Sequence, residues 1–201
     1  MAFFVYISYM FSTRGIEMFL EAMLKTAFAV SLLVSSHNAE SPITKLTTKT
    51  LPESCPTLTV NQIKTLNMSY RYGEENLGKG WGKVMVGIAH RESQLGVKLI
   101  NNKTKDYGVF QNHLKTVVKR NNIKFPAKAK KRLINDFHYS ADESRKEIEF
   151  WKKVHGEKNI KKILASYNAG YNYNGTKGKT YSKDVLNSMK LMQACYGGLM
   201  M

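Results

Sequence analysis

Glu92 is the residue best placed to do chemistry. It continues the stripe Trp81, Val84, Met85, Ile88, whose spacing of i, i+3, i+4 and i+7 predicts one apolar face of a helix. That face carries a carboxylate toward the core, where carboxylates are rarely found without a partner. Burial disfavours the charged form and raises the pKa, which suits a general acid working near neutral pH. Two alternatives stay open on spacing alone: a frayed helix end that turns Glu92 to solvent, or a buried pair with a Lys or Arg.

The polar groups that could serve Glu92 follow in order. Ser93 adjoins it. Asp106, Tyr107, Gly108, Val109, Phe110 and Gln111 form one segment, and Asp106 is the only acid between Glu92 and Gln111. It reads as a turn-former. Should it face Glu92 across a cleft, it becomes a candidate second carboxylate. Further on come Ser166, Tyr167, Asn168, Ala169 and Gly170, and then Tyr181. Tyr167 shares a helical stripe with Ile160 and Ile163, so its ring is expected in the core, where it either only packs or also reaches Glu92 with its hydroxyl. Tyr171 to Asn174 add aromatic and amide groups suited to sugar faces, or else form a surface loop. The histidines at 90, 113, 138 and 155 are scattered and no Cys-x-x-Cys occurs, so no metal site is expected. There is no Gly-x-Ser-x-Gly elbow, phosphate loop or dinucleotide fingerprint, and no cofactor is expected.

Mainly helical elements must position these groups. A helix is expected around 60–70, and the Trp81 helix stops near Gly96. Residues 97–112 carry turn chemistry and at most a small hairpin near 99–110. A helix resumes near Asn112 with Leu114, Val117 and Val118 inward. Pro126 opens the next, with Leu133, Ile134 and Phe137 as its stripe. Ser140 and Glu143 make a capping-box pattern for a helix ending at Gly156, whose face holds Ile148, Trp151 and His155. Asn159 caps a helix stopped by Gly170. The last helix runs from about Tyr181 to Tyr196, with Gly197 after it.

Four motifs in this order resemble the lysozyme-like lytic transglycosylases of the soluble lytic transglycosylase type. They are Glu92-Ser93, Gly108-Val109-Phe110-Gln111, Ser166 to Gly170, and Tyr181, and the resemblance covers roughly residues 60–196. The Asp-Tyr-Gly form before Gln111 looks most like small exported or phage-borne members. The resemblance implies a mainly α, lysozyme-like single domain over 58–201 that cleaves the MurNAc-GlcNAc β-1,4 bond of peptidoglycan. Glu92 would be the catalytic acid, with Ser93, Gln111, Tyr167, Asn168 and Tyr181 binding substrate around it. Ser166 stands where the family usually has Ala, Val109-Phe110 where it has Leu-Met, and His113 where an apolar or proline-containing stretch is common. A muramidase hydrolysing the same bond is the alternative. A non-catalytic, basic wall- or nucleic-acid-binding protein is the alternative of another class.

The rest of the chain bears on compartment and partner. The 201 residues are 43% hydrophobic and 11% aromatic, which excludes a wholly disordered chain, and four prolines exclude a proline-rich stalk. Lys25, the apolar run from Ala27 to Val34, and the small polar residues after it resemble a signal peptide over 1–39, with cleavage after Ser36. The run is shorter than the about 20 residues a membrane span needs. Residues 40–57 read as an arm. Residues 1–39 hold Arg14, Lys25, Glu17 and Glu21, so the net charge of +16 belongs wholly to residues 40–201. A basic cluster from Lys115 to Arg132 contributes to it. The expected partners are peptidoglycan glycan strands and anionic envelope polymers. No nucleic acid is expected, for want of a helix-turn-helix or zinc finger. The product is expected to be an exported, periplasmic or extracellular monomer, with no stable membrane span after processing. In such a compartment Cys55 and Cys195, the only cysteines, can pair. Closing that loop would contribute roughly 4–5 kcal/mol by chain entropy.

Overall fold

The computed structural model describes residues 54–200, so the expected leader over 1–39 and most of the expected arm lie outside the described residues. The first helix, α1 (Val60–Leu77), starts where the chemistry for starting exists. Thr59 Oγ1 accepts from the Gln62 N–H at 3.3 Å, and Gln62 Oε1 accepts from the Thr59 N–H at 3.0 Å. The helix runs well past the expected residue 70, because Tyr72, Gly73 and Leu77 continue its buried face.

Helix α2 (Trp81–Ser93) crosses α1 closely. A Cβ on Gly73 would lie 2.6 Å from the Gly82 Cα, so only glycine permits this approach. Glu74 Oε1 then accepts from the Gly80 and Gly82 N–H groups, both at 2.9 Å. The carboxylate thus caps the start of α2, where the helix dipole favours negative charge. The expected stripe of Trp81, Val84, Met85, Ile88 and Ala89 is buried, and Val86 is buried too. The surplus burial arises because α2 packs between α1 and the last helix.

The chain then turns into a three-stranded antiparallel sheet, β1 (Ile100–Asn101), β2 (Asp106–Tyr107) and β3 (Asn112–His113). Its register sets Ile100 opposite Tyr107 and Asp106 opposite His113. The small hairpin expected from the sequence is present, with a third strand added. Gly108 leads out of β2 at φ +84°, and a Cβ there would fall 2.2 Å from the Leu133 carbonyl oxygen.

Five helices complete the fold: α3 (Leu114–Arg120), α4 (Pro126–Asn135), α5 (Phe137–His155), α6 (Ile160–Ala169) and α7 (Thr176–Tyr196). Pro126 opens α4 as expected. The expected capping box at Ser140 and Glu143 does not form. Asp136 caps α5, its Oδ1 accepting from the Tyr139 N–H at 3.0 Å, while Ser140 and Glu143 are buried inside the helix. Phe137 accordingly belongs to α5 and not to the stripe of α4. Asn159 precedes α6 without a capping bond, because its side chain is bound to the His155 carbonyl. Helix α7 begins five residues before the expected Tyr181.

The main core lies among α1, α2, α5, α6 and α7, and a smaller cluster of Tyr107, Val117 and Leu133 fastens the sheet to α3 and α4. Cys55 and Cys195 form a disulfide with Cα atoms 5.7 Å apart. The Tyr196 hydroxyl donates to the Pro56 carbonyl beside it, so the end of the arm is tied to the end of α7. Among the described residues no helix is long and apolar enough to cross a membrane. The fold is mainly α with a small β element, as the sequence implies.

Candidate active site

Helix α2 delivers Glu92 to a cleft of about 420 Å³. The helix ends there because Gln94, Leu95 and Gly96 take three successive positive φ angles of 54°, 57° and 92°. The Gln94 N–H returns to the His90 carbonyl at 3.0 Å and the Leu95 N–H to the Ala89 carbonyl at 3.1 Å. Such a left-handed close satisfies the last carbonyls of the helix. Ser93 fixes this turn: its Oγ donates to the Ala89 carbonyl and accepts from the Gly96 N–H at 2.8 Å. Ser93 is fully buried, so the expectation that it contacts substrate is corrected. It positions the end of α2 and through it Glu92.

Glu92 is half-buried by surface, because it lines the cleft, yet protein encloses its carboxyl. Desolvation is the largest influence on it and pushes its pKa up to about 7. The negative charge of Asp106 adds to the rise. The Tyr181 hydroxyl, Arg91 and Lys177 act against it. Arg91 is shared with Asp184, 3.1 Å away, which blunts its hold on Glu92. A carboxyl in this state is poised to give and take a proton near neutrality.

The two tyrosines do different work. Tyr181 is buried, and its hydroxyl makes no hydrogen bond of full geometry among the described residues. It lies close enough to Glu92 to favour the carboxylate. Its burial withdraws it from the substrate contact expected of it. Tyr167 lines the cleft, but its hydroxyl does not reach Glu92. It donates to the Phe110 carbonyl at 2.9 Å and lies 3.0 Å from Ser144 Oγ. The rings stack with centroids 6.2 Å apart.

Gln111 sits at φ +47°, and its Nε2 donates to the Lys98 and Gly108 carbonyls at 3.1 and 2.9 Å. Both amide hydrogens therefore organise the cleft floor, and only the amide oxygen is left for a substrate N–H. Asn168 lines the cleft as expected. Ser166, in place of Ala, lies with Oγ 2.8 Å from His155 Nε2, and that imidazole stacks on Trp151.

Asp106 also lines the cleft, and His113 Nδ1 lies 3.0 Å from its Oδ1. The β2–β3 register creates this pair, so Asp106 is more than a turn-former. A third cleft carboxylate, Glu147, was not anticipated from the sequence. Arg120 holds it, and Trp151 Nε1 donates to it at 2.7 Å. The fully buried Glu143 beside it is held by Lys146 at 2.8 Å and by Arg120 at 3.5 Å. The sequence does carry a signal for Glu147: Ser140, Ser144, Glu147 and Trp151 share one face of α5, a pattern masked by the capping-box spacing of Ser140 and Glu143. Of the three cleft carboxyls, only Glu92 has no Arg, Lys or His side chain within 4.0 Å among the described residues.

A second cleft of about 600 Å³ meets the first at Glu92 and Gln111, which line both. Lys98, Asn101 and Asn102 provide its polar wall. The carboxyl thus stands between two open clefts. Among the described residues no three His, Cys, Asp or Glu side chains gather as a metal site. No protein-family model matches the chain, and neither the curated proteins nor the solved structures hold a significant match to it.

Proposed function

We propose that the protein is a peptidoglycan lytic transglycosylase with Glu92 as its single catalytic acid and base. The observation that carries this reading is the position of Glu92, a desolvated carboxyl outside any ion pair among the described residues, at the junction of two clefts. The glycan strand lies through both clefts with the scissile bond over Glu92. The protonated carboxyl gives its proton to the bridging oxygen as that oxygen leaves the muramyl anomeric carbon. The resulting carboxylate takes the proton of the muramyl 6-hydroxyl while that oxygen bonds to the same carbon. A 1,6-anhydro ring forms, Glu92 is protonated again, and no water is consumed. Tyr181 and Lys177 steady the carboxylate between the two steps, and Asn168 and the Gln111 oxygen meet the sugar's polar groups. The disulfide fits a protein that works in an oxidising compartment, outside the cytoplasm.

Asp106 favours a second reading. A glycosidase that hydrolyses this bond uses a second carboxylate across the cleft, and Asp106 lies in the same cleft as Glu92 and acts on its charge. Mass spectrometry of the products from purified peptidoglycan separates the two. Anhydro-muramyl ends support the transglycosylase, and reducing ends assign the hydrolase.

A further inference from the structure

A third groove, of about 520 Å³, runs between α6 and α7, away from Glu92. Five lysines line it: Lys161 and Lys162 from α6, and Lys179, Lys183 and Lys190 from α7. No acidic residue lines it, and none of the five forms an ion pair among the described residues. The nearest acid on α7, Asp184, is taken by Arg91. Positions 179, 183 and 190 fall on one helical face, and at 1.5 Å per residue they span roughly 16 Å. Like charges four apart weaken a helix unless something opposite lies between them. At the floor, Ser182 is 5% exposed and its hydroxyl has no hydrogen-bond partner among the described residues.

We propose that this groove binds a linear polyol-phosphate polymer, with the lysines on successive phosphates. The row of charges is too long for a single small anion. Lysines act as point charges that suit phosphate, whereas planar carboxylates call for the arginine fork, which the groove lacks. Single-stranded nucleic acid would need aromatic side chains on which its bases stack. The one aromatic ring in the groove, Tyr173, is already engaged edge-on by His155 with centroids 4.5 Å apart. The site makes no use of Glu92 and stands whatever reaction occurs there.

The test is a titration of the full chain with purified poly(glycerol phosphate) at about 0.15 M salt. Three proteins are compared: wild type, K179Q/K183Q/K190Q in the groove, and K124Q/K128Q/K131Q in the basic cluster, which removes the same charge elsewhere. The expected result is saturable wild-type binding, weakened at least about tenfold by the groove substitutions and under about threefold by the others, with a shallower salt dependence for the groove variant alone. Equal weakening by both triples overturns the proposal, as does absence of saturable binding. So does tighter binding of single-stranded DNA or of phosphatidylglycerol vesicles. Glu92→Gln is expected to bind the polymer as wild type does, so a failure here is distinct from a failure of the lytic reading.

Discussion

Tyr167 and Tyr181 stack with their ring planes 12° from parallel, yet only Tyr181 acts on Glu92 through its hydroxyl. Tyr167 spends its own on Phe110 and Ser144. Tyr181→Phe removes a group that favours the carboxylate. The Glu92 pKa should therefore rise above about 7, and the alkaline limb of kcat/KM should move to higher pH. Tyr167→Phe should leave that limb in place and cost about 1 kcal/mol of stability through the lost hydrogen bonds. A pH–rate profile of each variant checks the difference. A limb that moves equally in both would show that the hydroxyls are not divided in this way.

Glu92 should also mark the pH dependence of stability. Its folded pKa is raised, from 4.5 to about 7. Below pH 4.5 the carboxyl is protonated in both states and contributes nothing. As pH rises from 4.5 to about 7, the unfolded chain ionises first and binds fewer protons, so stability falls. Glu92→Gln removes this cost. At pH 8 it should be more stable than wild type by on the order of 1–2 kcal/mol, allowing for solvent in the cleft. Urea unfolding at pH 4 and pH 8 measures it, with the gain expected at pH 8 only.

The disulfide closes a loop between residues 140 apart in sequence. Replacing both cysteines by serine should lower stability by roughly 4–5 kcal/mol, because the unfolded chain regains that freedom. Denaturant unfolding compares the pair. The loss should fall on global stability without moving the pH limb of Glu92, since the bridge lies at the far end of α7 from Tyr181.

Gly108 offers a steric test. At φ +84°, with the Leu133 carbonyl oxygen 2.2 Å and Ser140 Oγ 2.6 Å from any added Cβ, the position takes no side chain without movement. Gly108→Ala should cost more than about 2 kcal/mol. It should also loosen Gln111, which donates to the Gly108 carbonyl. Thermal unfolding gives the first effect and an increased KM the second.

Much of the fold is readable from periodicity. The stripe from Trp81 to Ile88, Pro126 at the start of a helix and Gly156 and Gly170 as stops all depend on local chemistry, and each lies where expected. The site is only partly readable. Glu92 follows from helical spacing, but the partners of a hydroxyl or amide depend on what other elements bring near. Ser93 is beside Glu92 in sequence and serves a helix close. Tyr167 has the right stripe and a hydroxyl turned to Phe110. The Asp106–His113 pair depends on the register of a third strand for which 2-residue segments carry no period. Arg120 and Glu147 lie 27 residues apart in sequence on two different helices, and their meeting depends on the tertiary fold.

In the proposed reaction Glu92 alone moves the proton. Glu92→Gln keeps the shape of the side chain and removes its acid, so turbidity clearing of purified peptidoglycan at pH 7 is the most direct measurement. Clearing should fall by at least about a thousandfold, which is the loss expected of an essential acid–base group, while circular dichroism and the unfolding transition show an intact fold. Clearing at more than a tenth of the wild-type rate by a folded Glu92→Gln protein would contradict the account.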